Sequence, residues 1–293
     1  MILVTGAGGQ AGTAIIRALA THGHGVRALT RSAASGMAAR MAGAVEIATG
    51  DMTRADDVMA AARGVRAILH ISPSQGGDEV RMGRCIIDAA HNADIERLVY
   101  LGSVNLRVDT EQHRDKVQVE REIVESRLPY VFLHPAKFMQ GILPLWGAIT
   151  ERGVFRVPYA VTSPLARVDL ADVGEAAVAA LCEPGHFGAT YELVGQPPIS
   201  EAEVCEMLTA RLGRPVTAEM ISSEEWQHDA EAKGMGAEEI RRSAHMFTFF
   251  SRLGSPHEST LTLRALIGRA PTSFATFLDR IIADGAMRGH AVD

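Results

Sequence analysis

The first hundred residues alternate between two patterns. Short apolar runs with little polar interruption recur at Met1–Thr5, Val26–Thr30, Ala44–Ala48, Val65–Ile71 and Arg97–Leu101. Between them lie longer stretches, Ala14–Ala20, Ser32–Ala42, Arg54–Arg63 and Asp78–Asn92, with the composition of helices. A strand buried on both faces reads as a continuous apolar run because none of its side chains meets water, whereas an amphipathic helix shows a single apolar stripe. Repeated strand–helix alternation without a hairpin signal predicts an α/β fold: a doubly wound parallel sheet with helices on both faces. A charged helix, Glu111–Arg127, and a sixth strand, Tyr130–Leu133, extend the series until His134 and Pro135 break it. Val168–Asp172 introduces a helix to Leu181, and Tyr191–Val194 reads as another strand. From Ser200 the pattern changes to helix Glu201–Leu212, a Gly213-Arg214-Pro215 turn, a short strand and then mostly helix. Residues 1–152 are therefore expected to form the sheet domain, with strand elements returning to it near 165–195, and 196–293 mainly a smaller, mostly helical C-terminal lobe for the substrate.

The first strand and helix are joined by Gly6-Ala7-Gly8-Gly9-Gln10-Ala11-Gly12. A diphosphate needs backbone N–H groups brought close at the positive end of a helix, and glycine lets the chain turn tightly and the ligand approach. The spacing of Gly6, Gly9 and Gly12 supplies that cradle, so Gly6, Gly9, Gln10, Ala11 and Gly12 are expected to bind a dinucleotide. An Asp or Glu at the end of the second strand would hydrogen-bond a ribose 2′-hydroxyl; a cation there suits a 2′-phosphate. This chain has Thr30-Arg31-Ser32, with no acid before Glu46. Arg31 therefore argues for NADP(H) over NAD(H) through a charge-assisted phosphate contact. Asp51 and Met52 follow the third strand. There a carboxylate faces the adenine amino group, caps the next helix with Thr53, or does both. The Ser72–Gly77 loop falls where the nicotinamide ribose should lie, and Ser103 closes strand five.

Composition narrows the alternatives. With 293 residues, 47% of them hydrophobic, the chain can bury a core large enough for one domain plus a lobe. A net charge of −6 leaves no basic footprint, so nucleic acid is not an expected direct partner. No apolar run approaches a membrane span, and the chain runs straight into strand one, so the expected location is cytoplasmic, with no membrane partner. Cys85, Cys182 and Cys205 are far apart and show no ligand spacing, and no metal site is expected. Beyond strand six, Lys137-Phe138-Met139-Gln140 and Leu143-Pro144-Leu145-Trp146 combine bulky apolar residues with Pro and Gly. Phe138, Met139 and Trp146 read as the wall of a substrate pocket, or equally as a core helix. A small apolar substrate is the expected partner, with the protein a monomer or homodimer.

With these residues in view, the chain resembles the NmrA-like family of atypical short-chain dehydrogenase/reductases. The resemblance rests on Val4–Gly12, Gly50-Asp51-Met52, Tyr100-Leu101-Gly102-Ser103, Lys116 with Glu120, and Leu128-Pro129-Tyr130 leading to Pro135 and Phe138-Met139. It continues through Leu193-Val194-Gly195, Leu212–Pro215 and Gly268–Phe274. It implies a Rossmann domain binding NADP(H), a substrate cleft between it and the C-terminal lobe, and either a reductase or a nucleotide-binding redox sensor. The orthodox short-chain dehydrogenases use Tyr-x-x-x-Lys, but here Gln112 stands four positions before Lys116. The matching lysine of isoflavone-type reductases makes Lys116 a candidate ribose contact or proton donor. His113, one turn earlier, is a second candidate acid. With no tyrosine in place, the expected acceptor is one that takes hydride readily: a quinone, enone, iminium or conjugated dye.

Overall fold

The computed structural model describes residues 1–73, 78–255 and 259–289, apart from the side chains of 286–289. The loop expected to approach the nicotinamide ribose therefore lies outside the described residues at 74–77. The chain runs β1 (Ile2–Val4), α1 (Gln10–Thr21), β2 (Val26–Thr30), α2 (Ala33–Met41), β3 (Glu46–Thr49), α3 (Ala55–Ala62), β4 (Ala67–His70), α4 (Glu79–Asn92), β5 (Arg97–Leu101), α5 (Glu111–Glu125) and β6 (Tyr130–Pro135). It continues through β7 (Lys137–Phe138), a 3-10 turn (Met139–Leu145), α6 (Trp146–Arg152), β8 (Val154–Val157), β9 (Leu165–Val168), α7 (Leu170–Cys182), β10 (Thr190–Leu193) and β11 (Gln196–Ile199). The remaining elements are α8 (Glu201–Leu212), β12 (Thr217–Met220), α9 (Ser223–Ala232), α10 (Ala237–Leu253), α11 (Leu261–Ile267) and α12 (Phe274–Gly289). No described helix is long and apolar enough to cross a membrane.

Two compact units are built from these elements. The first comprises Met1–Pro135, Leu170–Leu193 and Thr262–Arg269. Its sheet has the strand order β10-β6-β5-β4-β1-β2-β3, with every pairing parallel. That confirms the doubly wound sheet and explains the apolar runs: β1, β4 and β5 are buried along their whole length. Parallel pairing also brings the carboxyl ends of β1 to β5 to one edge, and β1 lies at the switch point between β2 and β4. On one face, a core of Ile68, Met82, Ile86, Leu98, Tyr100 and Val119 packs under α4 and α5.

The second unit comprises Ala136–Asp169, Val194–Leu261 and Ala270–Asp293. It is helix-rich but also carries a three-stranded sheet, β11-β9-β7, and a parallel pair, β12-β8. Its own core gathers Met139, Ile142, Ile149, Phe155, Leu165, Leu208, Phe274 and Phe277. Unit one ends at Pro135, earlier than residue 152. The 3-10 turn after β7 buries Met139 and Ile142 in the second core, and a periodicity argument has no view of which core an apolar residue joins. Conversely, α7 and β10 belong to the first unit because α7 packs on α1 and β10 pairs with β6.

Candidate functional site: a dinucleotide turn and an aromatic cavity

The glycine turn of the first unit is arranged for close backbone approach. Gly6 has φ +58°, a left-handed conformation that other residues adopt at a cost. A Cβ on Gly12 would sit 2.4 Å from the Gly6 carbonyl oxygen and 2.7 Å from the Ala7 Cα. Helix α1 starts at Gln10 with Gly9 as an extended N-cap, no side-chain capping bond and no acid in the first turn. The first amides of a helix have no carbonyl one turn back, so this end presents N–H groups and the positive pole of the helix together. Gln10 and Gly9 are exposed, Gly6 and Gly8 half-buried, Ala11 and Gly12 buried. The residues present thus fit a diphosphate.

Arg31 is exposed immediately after β2. Asp51 follows β3; its Oδ1 accepts from the Thr53 amide and hydroxyl, both at 2.8 Å. Those bonds hold the Asp51 carboxyl below its usual range, with Arg31 and Arg81 adding to the effect. Helix α3 starts after Arg54 with no side-chain capping bond, so Asp51 closes a local turn with Thr53 and does not cap the helix. Met52 is buried in the core beneath, and Ser103 is half-buried after β5. Replacing Arg31 with alanine should weaken NADPH binding ten- to a hundredfold, about 1.5–3 kcal/mol for a lost charged hydrogen bond, and leave NADH binding nearly unchanged. Parallel titrations with the two nucleotides check this, and equal losses would remove the phosphate contact.

Beside the ends of β4 and β5 lies a polar network that the sequence reading missed. Glu79, in the first turn of α4, has side-chain exposure of only 1%. Its Oε1 accepts from Ser72 Oγ at 2.5 Å, from Lys116 Nζ at 2.7 Å and from the Tyr100 hydroxyl. Burial pushes the Glu79 carboxyl up, but the Lys116 ammonium and the three hydrogen bonds outweigh it and hold it below the ordinary value. Burial and Glu79 together push the Tyr100 phenol well above its ordinary range. His70, whose Nδ1 lies 2.8 Å from Thr5 Oγ1, is lowered by burial to about 4. Lys116 and Ser72, both expected to contact the cofactor, are bonded to a buried carboxylate. His113 is also buried, its Nδ1 3.1 Å from the Val108 carbonyl oxygen, and burial lowers its pKa. His134 meets Glu120 at 2.7 Å. Only a residue pattern joining a helix-start acid to a lysine thirty-seven positions away would have revealed Glu79.

The second unit contains a cavity of about 590 Å³, within the range of small-molecule sites. Trp226, Phe247, Phe250 and Phe155 supply aromatic wall, and Lys137 and Tyr159 a polar end. Trp226 meets Phe247 edge-on at 4.8 Å between centroids, and Tyr159 meets Phe250 edge-on at 5.6 Å. Phe138, Met139 and Trp146 do not line it. Phe138 pairs with Val168 across β7 and β9, Met139 is fully buried in the core, and Trp146 packs half-buried against that core. Their neighbours Lys137, Ile142 and Leu145 form the wall instead.

A doubly wound sheet with a glycine turn at its switch point and an appended helix-rich unit defines a dinucleotide-binding α/β protein. The NmrA-like family profile matches residues 1–278, and the chain belongs to the NmrA-like family. It is 31% identical over 237 residues to an NAD(P)H azoreductase of Xenophilus azovorans, covering 80% of this chain and 82% of that protein. It is 34% identical over 228 residues to a (4-alkanoyl-5-oxo-2,5-dihydrofuran-3-yl)methyl phosphate reductase of Streptomyces griseus, covering 75% and 77%. Among solved structures, an NADPH-dependent quinone oxidoreductase from Escherichia coli complexed with NADPH superposes with a TM-score of 0.79 at 25% identity, covering 96% of this chain and all of that one.

Proposed function

We propose that this protein is an NADPH-dependent reductase of a small, conjugated, hydride-accepting compound. The observation that carries the reading is the uncapped glycine turn at α1 with Arg31, rather than an acid, after β2. The azoreductase, dihydrofuranyl methyl phosphate reductase and quinone oxidoreductase relatives support the reaction type. The turn amides at Gly9 to Gly12 would hold the diphosphate and Arg31 the 2′-phosphate. Bound NADPH supplies a hydride.

The residues present also bear on the acceptor. Gln112 occupies the place of the orthodox tyrosine. The phenol on the same carboxylate as Lys116, that of Tyr100, belongs to a fully buried side chain and has its pKa raised, so it holds its proton and donates to Glu79. Lys116 is 4% exposed and bonded to that carboxylate. These groups orient one another and do not offer an accessible acid. An acceptor that delocalises the charge delivered by hydride, as a quinone or enone does, can take its proton from water.

Purified protein should oxidise NADPH in the presence of at least one acceptor from a panel of quinones, enones, imines and azo dyes, followed at the nicotinamide absorbance band. Tight NADPH binding without turnover on the whole panel would replace the reductase reading with that of a nucleotide-sensing regulatory protein.

A further inference from the structure

We infer that the cavity of the second unit takes an anionic aromatic acceptor, with its acidic group against Lys137 and its rings on the Trp226–Phe247–Phe250 wall; this deepens the reductase reading and rests on it.

Charge is the first reason. Two cations, Lys137 and Arg167, share one fully buried carboxylate, Glu201. Lys137 Nζ donates to Glu201 Oε1 at 2.8 Å and Arg167 Nη2 to Oε2 at 2.7 Å; the Tyr159 hydroxyl adds a bond to Oε1 at 2.5 Å. The cluster therefore carries one positive charge in excess. Glu201 is not part of the cavity wall, whereas Lys137, Tyr159 and Arg167 are, so the cavity meets the cations and not the acid between them. An ammonium has three donors. Glu201 and Tyr159 take two from Lys137, whose side chain is still 24% exposed.

The rest of the wall has the same sign. Arg152, Arg156 and Lys233 line it against a single acid, Asp229. Arg156 is paired with Glu219 at 3.5 Å and Glu225 at 2.6 Å, so its charge is largely answered, but the remaining balance stays positive. A second, independent observation comes from Arg167. Its side chain is 3% exposed, and its Nε has no hydrogen-bond partner. A buried unsatisfied donor costs about 1–3 kcal/mol, so Glu201 answers the Arg167 guanidinium only in part. Burial, with the neighbouring Arg167 adding to it, drives the Lys137 amine down to about 8 against the opposing pull of Glu201.

Shape is the remaining reason. Rings meeting edge-to-face leave flat faces for a planar guest, and aromatic walls bury large apolar area with little loss of conformational freedom. A cationic or uncharged hydrophobic acceptor would use the wall but leave the charged end unanswered.

The test uses a matched pair, 1,4-naphthoquinone-2-sulfonate and 2-methyl-1,4-naphthoquinone, as acceptors with the full chain and NADPH. Naphthalene-2-sulfonate binding to the nucleotide-free protein is measured alongside by calorimetry. The wild-type protein should show a KM at least tenfold lower for the sulfonate than for the neutral quinone. Lys137→Met should remove the preference, raising the ratio of the sulfonate KM to the neutral-quinone KM at least tenfold. The same substitution should lose naphthalene-2-sulfonate binding, and Phe247→Ala should weaken both quinones together. Equal KM values for the two quinones in the wild-type protein overturn the inference without recourse to a variant. Turnover of both quinones with no calorimetric sulfonate binding also overturns it and leaves the reductase standing. Lys137-dependent sulfonate binding without any turnover supports the charged cavity and removes the reductase.

Discussion

The Gly12→Ala protein is expected to bind NADPH at least a hundredfold more weakly than the wild type. The added methyl carbon would lie 2.4 Å from the Gly6 carbonyl oxygen and 2.7 Å from the Ala7 Cα, separations that real Cβ atoms do not show. Both neighbours are backbone, so the clash cannot be relieved by turning a side chain. The turn itself must open, and Gly6, already at φ +58°, has little freedom to follow. Opening moves the amides at the start of α1 away from the positions a diphosphate needs, and positioning is most of what such a cradle contributes. Stability should fall by about 1–3 kcal/mol, as is usual for overpacking. Calorimetric titration with NADPH, together with a thermal melt, checks both. Wild-type affinity in a folded Gly12→Ala protein would show that the diphosphate does not use this turn.

The Glu201→Gln protein should lose about 3–5 kcal/mol of stability, because removing one partner of a buried charge pair leaves the other uncompensated. Here two partners are stranded: Lys137 and Arg167 both depend on a carboxylate with no exposed surface. The pH dependence has a definite sign. Burial would raise the Glu201 carboxyl, but Lys137 and Arg167 hold it at about 2, against an ordinary 4.5. Its stabilisation is therefore fully present above pH 4.5 and is lost as pH falls toward 2. Lys137 acts oppositely: with its pKa lowered from 10.5 to about 8, its protonated form costs stability, and the cost is relieved as pH rises between those values. Denaturant unfolding from pH 2 to 7 should show an acid limb that is steeper in the wild type than in Glu201→Gln, the remainder coming from Glu79 and Asp51, which are also held low. A substitution costing under 1 kcal/mol, with the acid limb unchanged, would mean the cluster is solvated and not buried.

The sheet was legible because its physics is local. Strands buried on both faces must be apolar throughout, so β1, β2 and β5 emerge at nearly their observed boundaries from composition alone. The same holds for α8, where Ser200 and Glu203 form a reciprocal capping box and Gly213 ends the helix at φ +66°. Strands β8 and β11 were not identified, since neither sits in an alternating context strong enough to mark it, and the strand expected near residue 165 joins the second unit's sheet as β9 and not the first. Phe138, Met139 and Trp146 were picked out by hydrophobicity. Hydrophobicity is shared by core and cavity wall, and it was the folding of the 3-10 turn that sent Met139 into the core and set Ile142 and Leu145 at the cavity.

Sequence by itself determined the parallel sheet, the glycine turn and the cation after β2, because each depends on residues within a few positions of one another and on a backbone constraint only certain side chains meet. Tertiary structure decided what the charged side chains do. Lys116 finds Glu79 from another helix, and Lys137, Tyr159 and Arg167 converge on Glu201 from separate segments of the second unit. A buried carboxylate draws whichever cations the packing of the chain brings within reach. The energy of that pairing depends on depth and distance, and neither quantity is encoded in any local stretch.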